Sequence, residues 1–125
     1  MNETMYQSIF EEIQDYLPDS WTKVVFMAGY TEGSYNMKFY VSDDGKSFVD
    51  CFSLKNCTKA QLIKLFMGID KLLSKERKHL ADKDRWTVMT LSAHSDGRFK
   101  ASFDYENISE NFLTYEKEWK KHYLK

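Results

Sequence analysis

Hydrophobic positions in three parts of the chain recur every three or four residues, which is typical of amphipathic helices. The first predicted helix covers residues 3–17 and ends before Pro18, because proline disfavours helix in the residue that precedes it. The second is predicted to begin at Thr58, where Thr58-x-x-Gln61 has the form of a capping box. The third is predicted over about residues 109–124, with one apolar stripe formed by Phe112, Tyr115, Trp119 and Tyr123.

Between these helices the apolar residues form extended or alternating runs, which predict strands. Three strands are predicted in "WTKVVFMAGY", "YNMKFYV" and "SFVDCFSL", and a second group in "WTVMTLSAH" and "RFKASFDY". Turn sequences separate them, such as Ser95-Asp96-Gly97. In the last strand, alternation places four residues on one buried face, namely Phe99, Ala101, Phe103 and Tyr105.

The order of elements is therefore α-β-β-β-α-β-β-α, and strands grouped in this way predict an α+β fold. We expect a single domain over residues 1–125, with helices packed on a mainly antiparallel sheet. Gly68 interrupts the stripe of the second helix, and we expect it to allow close packing against the sheet.

The 125 residues carry a formal net charge of −1, which argues against a dedicated nucleic-acid binder. No apolar run is long enough to span a membrane, and the acidic N-terminus does not have the pattern of a secretion signal. We therefore expect a cytoplasmic protein in which Cys51 and Cys57 are reduced thiols.

The residues that could carry chemistry form no convincing active site. The three histidines and two cysteines lack metal-ligand spacing, and no glycine-rich phosphate loop occurs, so we predict neither a metal nor a cofactor. Three alternatives stay open at this point. Asp104 and Glu106 could form an acid/base pair of a small hydrolase, Cys57 could act as a nucleophile with a histidine, and the basic stretch 71–85 could bind nucleic acid.

Several sequence blocks together resemble one family. The first helix ends in "LPDSW" and leads into "TKVVFMAGY"; Trp86-Thr87, "DGRFKASFDYENISE" and "YEKEWKKHYL" follow later. This combination, with "FDYE" as its most specific part, is similar to the YezG-like immunity proteins over nearly the whole chain. The resemblance implies an antitoxin without catalytic residues that binds the C-terminal domain of a secreted polymorphic toxin. Such toxins are often nucleases with LXG-type export regions, and related immunity proteins accompany contact-dependent toxins.

The resemblance also suggests where a partner would bind. Nuclease clefts are basic, so carboxylates on an immunity protein would complement them. The partner-binding residues that we predict are Glu11, Glu12 and Asp15 in the first helix, and Asp104, Glu106 and Glu110 near the C-terminus, with Trp86 as an aromatic anchor. Tyr105 is a second possible anchor, although its place in the alternating stripe favours the core.

Overall fold

The computed structural model describes residues 3–55 and 57–124. Its helices and strands follow the predicted order. They are α1 (Glu3–Gln14), β1 (Lys23–Thr31), β2 (Ser34–Ser42), β3 (Val49–Asp50), α2 (Lys59–His79), β4 (Val88–His94), β5 (Phe99–Asp104) and α3 (Phe112–Tyr123). Two short 3-10 helices, Cys51–Ser53 and Asp82–Asp84, precede α2 and β4 respectively.

The five strands form one antiparallel sheet in the order β3-β2-β1-β4-β5. The central strand, β1, is buried on both faces from Val24 to Tyr30. This explains why its sequence reads as a continuous apolar run rather than as an alternation, because alternation requires one face in water. The predicted α+β fold with an antiparallel sheet is confirmed.

Helices cover both faces of the sheet, giving three layers. On one face, Val24, Phe26 and Ala28 of β1 share a core cluster with residues of α1 and α2 such as Ile9 and Leu62. The opposite face carries α3, and this cluster consists of Val25, Met27, Tyr40, Val88, Ile108 and Trp119. We refer to these two sides as the α1/α2 face and the α3 face.

The third predicted strand is mostly wrong. Of residues 47–54, only Val49 and Asp50 pair with β2, and the chain then turns into the 3-10 helix. The carboxylate of Asp50 accepts a hydrogen bond of 2.9 Å from the backbone N–H of Phe52. This local bond caps the 3-10 helix and competes with continued strand pairing, as aspartate side chains commonly do.

The predicted start of α2 is confirmed in detail. Thr58 Oγ1 accepts from the backbone N–H of Gln61 at 3.1 Å, and Gln61 Oε1 accepts from that of Thr58 at 2.9 Å. The expectation for Gly68 is wrong, because it lies on the exposed side of α2 and a Cβ there would meet no atom within 4 Å beyond the adjacent backbone of its own helix. α1 ends at Gln14, three residues before the predicted limit, although Leu17 still packs in the core.

Candidate functional site

The carboxylates near the C-terminus lie in a connection between β5 and α3, which we call the acidic turn (residues 104–110). The side chains of Asp104, Tyr105, Glu106 and Glu110 are all exposed. The chain leaves the sheet at Asp104 and enters α3 only at Phe112, so most of the acidic turn belongs to no helix or strand. Its shape therefore depends on contacts made by individual residues.

Hydrogen bonds fix the acidic turn at both ends. Thr87 Oγ1, just before β4, donates to the carbonyl oxygen of Glu106 at 2.6 Å. The backbone N–H of Glu32, in the turn between β1 and β2, donates to Ser109 Oγ at 2.9 Å. Within the turn, the backbone N–H of Ser109 donates to Asn107 Oδ1 at 2.9 Å. The turn is thus tied to two neighbouring connections of the sheet.

A buried side chain anchors the middle of the turn. Ile108 is fully buried in the cluster beneath α3. It approaches β1 where that strand carries Gly29, since a Cβ on Gly29 would stand 3.4 Å from Ile108 Cδ1 and 3.3 Å from Phe112 Cε1. The missing side chain at Gly29 therefore makes room for Ile108 and Phe112 on the sheet. Two residues that sequence reasoning did not single out, Gly29 and Ile108, therefore help to position the acidic turn.

Asp104 differs from the other acidic residues because its carboxylate has a partner inside the protein. The Tyr115 hydroxyl of α3 donates a hydrogen bond to Asp104 Oδ2. Burial, together with this carboxylate, raises the pKa of Tyr115 well above its ordinary value, so Tyr115 remains a donor. Asp104 therefore joins β5 to α3. Glu106 and Glu110 instead lie exposed on the turn.

The two predicted aromatic anchors have the reverse of the expected exposure. Tyr105 is 57% exposed, so its expected position in the buried stripe is wrong. The strand ends at Asp104, and the alternation of faces does not continue into the turn. Trp86 is only 2% exposed, and its ring contacts those of Tyr30 and Phe103 in the core. Tyr105 is therefore accessible to a partner, whereas Trp86 is not.

The carboxylates of the first helix lie elsewhere. Glu11, Glu12 and Asp15 are exposed at the C-terminal end of α1. Nearby, Phe10 packs against Phe99 at the first residue of β5, while the acidic turn follows the last residue of that strand. A strand of this length separates the two groups by about 17 Å. The structure thus divides the six predicted carboxylates into two groups of three.

Comparisons with known proteins identify the family of this chain. The family described as "Immunity protein YezG-like" matches residues 2–125. The chain belongs to the YezG-like immunity protein family. It is 26% identical over 110 residues to Immunity protein YezG of Bacillus subtilis (strain 168), covering 83% of this chain and 73% of the relative. It is 24% identical over 112 residues to Immunity protein YezG of Bacillus spizizenii, covering 83% and 68%.

The thiols of this YezG-like chain are not set up for nucleophilic catalysis. Burial raises the pKa of the Cys51 thiol to about 12 and raises the pKa of Cys57 above its ordinary value. An activated cysteine needs the opposite shift, since the thiolate is the nucleophile. Cys57 instead packs against the core and its Sγ lies 3.7 Å from the Tyr16 carbonyl oxygen.

The other chemical alternatives gain no geometric support in this family member. Asp104 is bonded to Tyr115 rather than paired with Glu106 across a cleft. Within residues 3–55 and 57–124, no cluster of three or more His, Cys, Asp or Glu side chains is arranged to hold a metal ion. None of the helices in that part of the chain is long and apolar enough to cross a bilayer.

Two arginines of the basic stretch 71–85 make contacts within the protein. The Arg77 guanidinium lies 4.4 Å from the ring centre of Tyr30, and its Nε donates to the Trp86 carbonyl oxygen at 2.9 Å. Arg85 Nε in turn donates to the Arg77 carbonyl oxygen at 2.9 Å. Both arginines thereby join α2 to the segment before β4, and the exposed cations of this stretch are Lys71, Lys75, Lys78 and Lys83.

Proposed function

We propose that this protein is an immunity protein that binds and neutralises the C-terminal toxic domain of a cognate secreted polymorphic toxin. Membership of the YezG-like family over residues 2–125 is the observation that carries the proposal. The two relatives that carry the name immunity protein support it. In this proposal the protein works in the cytoplasm of the producing cell and holds the toxin inactive until export.

We further propose that the toxic domain is a nuclease. A nuclease needs a basic cleft for its phosphate-bearing substrate, and a protein that covers such a cleft benefits from exposed carboxylates. Glu106 and Glu110 are exposed on a turn that hydrogen bonds and the buried Ile108 hold in place. A fixed turn loses little conformational entropy on binding, which favours affinity.

Tyr105 supplies the aromatic part of the proposed surface. Large rings are common at binding hot spots because they bury much area with few rotatable bonds. Its ring stands between the carboxylates of Asp104 and Glu106 in the chain and is more than half exposed. The proposed contact surface is therefore Tyr105 with Glu106 and Glu110, and Asp104 supports it through Tyr115.

Co-expression tests this function. The toxic domain that we expect to be encoded next to this protein is expressed alone, or together with the protein, in a sensitive bacterial host. We expect growth arrest with the domain alone, restored growth with the pair, and co-purification of the two chains. Growth arrest that persists although the protein is present at equal or higher levels would contradict the proposal.

Charge reversal tests the proposed surface. The double variant Glu106→Lys/Glu110→Lys is expected to slow association with the toxic domain roughly tenfold and to weaken its salt dependence. The matched control, Glu11→Lys/Glu12→Lys, changes the net charge equally at the far end of β5 and is expected to associate at the normal rate. Stopped-flow association kinetics compare the two. Slowing by the control alone would assign the surface to α1.

A further inference from the structure

A second charged surface lies on the α3 face of the sheet, beside the C-terminal end of α3. This concavity encloses about 390 Å³, and every side chain that lines it, except Phe99, is cationic, titratable or hydroxyl-bearing. We call it the basic groove and define it by Lys23, His94, Arg98, Lys100, Ser102 and His122. Along β5 it begins at the end opposite the acidic turn and reaches Ser102, two residues before Asp104.

The strand register brings these residues together. Lys23 of β1 is directly opposite His94 of β4, and Ser92 of β4 is directly opposite Lys100 of β5. Side chains two residues apart share a face, so Lys100 and Ser102 lie on the same side of the sheet as Thr90, which bonds to Trp119 of α3. The groove is therefore built on the regular part of the fold, with the sheet as its floor and α3 as one wall.

The groove carries uncompensated positive charge. Among the residues that line it in the described part of the chain, none has a carboxylate. The nearby Asp96 is already paired, since Arg98 Nε lies 2.9 Å from Asp96 Oδ2. Partial burial lowers the pKa of His94, and the neighbouring positive charges of Arg98 and Lys23 lower it further. Lys23 and Lys100 thus remain as cations for which the groove itself provides no counterion.

The borders of the groove limit what kind of anion fits. Asp96 lies at the hairpin before β5, and Asp104 and Glu106 follow the other end of the strand. Because Asp96 is paired with Arg98, the repulsion comes from the end at the acidic turn, where the exposed Glu106 would repel a long polyanion such as DNA or RNA laid along β5. A short segment with a few negative charges avoids this repulsion.

The edge of the sheet offers a second means of recognition. β5 is an outer strand, and among the strands of the described residues it pairs with β4 alone. Backbone N–H and C=O groups along the outer side of such a strand are free to pair with an added extended chain. The groove and this edge are adjacent, because Lys100 and Ser102 belong to β5.

We propose that the basic groove binds a short acidic segment of the partner protein, laid in an extended form along the free edge of β5. The inference rests on the proposed function, because the partner is the toxic domain. The acidic turn and the basic groove then recognise opposite charges along one strand. That arrangement fixes the direction in which the partner docks, since the reversed orientation places like charges together.

The test measures the affinity of the full-length protein for the toxic domain. The variant Lys23→Glu/Lys100→Glu is expected to weaken binding at least tenfold, while the control Lys64→Glu/Lys71→Glu, on the exposed side of α2, leaves it unchanged. If Lys23→Glu impairs folding, as judged by thermal unfolding, the single variant Lys100→Glu takes its place. Affinity equal to that of the unaltered protein would overturn the inference and leave the proposed function intact.

A second arm identifies the class of ligand. A synthetic peptide of alternating Asp and Ser residues is expected to bind the unaltered protein and to lose binding in the Lys100→Glu variant. Single-stranded DNA of similar charge is expected to bind more weakly. Tighter binding of DNA through the same lysines would replace the acidic segment with a phosphate ligand and overturn the inference. If the unaltered protein does not bind the toxic domain at all, the proposed function fails together with the inference.

Discussion

At the scale of single residues, Gly29 determines how closely the acidic turn can approach the sheet. Ile108 and Phe112 occupy the space that a side chain at this position would need. Glycine in a buried strand normally weakens it, and a close approach by another element is a common reason for its presence. At Gly29 the approaching element is the segment that carries the proposed contact residues.

We predict that Gly29→Val destabilises the protein by about 1–3 kcal/mol, because the added methyl groups overpack the space held by Ile108 and Phe112. Urea unfolding followed by circular dichroism measures this change. The same variant is expected to weaken binding to the toxic domain, since the acidic turn must shift. An unchanged midpoint would show that the turn does not depend on this contact.

Gly68 provides the opposite case. It lies in the middle of α2 on the exposed side, and a Cβ there meets nothing within 4 Å beyond the adjacent backbone of its own helix. We predict that Gly68→Ala stabilises the protein by about 0.5–1 kcal/mol, because alanine loses less backbone entropy in a helix. Thermal and urea unfolding measure the gain. Destabilisation would indicate that the helix is packed at this position after all.

The periodicity of the sequence predicts which single residues are buried only inside regular helices and strands. The alternation in β5 correctly predicts that Phe99, Ala101 and Phe103 pack against the core. It fails at Tyr105, where the strand has ended. Trp86 lies two residues before β4 begins, so the parity of that strand does not determine which way its ring points. Periodicity therefore does not tell which of these two rings is buried and which is exposed.

At the scale of elements, α3 is joined to the sheet by a buried hydrogen bond as well as by apolar contacts. Trp119 Nε1 donates to Thr90 Oγ1 of β4 at 2.9 Å, and both residues are almost fully buried. The Trp119 ring also lies against those of Tyr40 and Tyr123. Because α3 forms one wall of the basic groove and follows the acidic turn, this bond orients both charged surfaces.

We predict that Thr90→Val destabilises the protein by about 1–3 kcal/mol, because the indole N–H is then buried without its partner. Trp119→Phe costs more, since it also removes ring volume. The double variant is expected to be more stable than the sum of the single effects implies, as neither polar group then remains unpaired. Additive losses in a urea unfolding cycle would mean that the bond contributes nothing.

The order and type of elements could be predicted from the sequence, whereas their arrangement could not. The capping box at Thr58 located the start of α2 because its two hydrogen bonds are local. An apolar stripe shows that a helix is buried on one side, but not which face of the sheet it covers. The placement of α3 opposite α1 and α2 depends on pairing between distant strands, which local periods do not encode.

At the scale of the whole molecule, a net charge of −1 hides a strongly uneven distribution. The acidic turn follows one end of β5 and the basic groove begins at the other, and neither is visible in the overall composition. The carboxylates of the turn are recognisable from the sequence because they lie within a stretch of seven residues. The groove is not recognisable there, because its residues come from β1, β4, the turn before β5, β5 and α3. Only the antiparallel register of β1, β4 and β5 shows that the residues of the groove lie side by side.

The central claim is that this protein inhibits a toxin by binding its toxic domain. The most direct measurement is a titration of the purified toxic domain with the purified protein, with the nuclease activity that we propose for the domain as the readout. We predict that cleavage falls in proportion to added protein and ceases near a fixed stoichiometric ratio. Full cleavage in the presence of excess protein, with both chains folded, would contradict the claim.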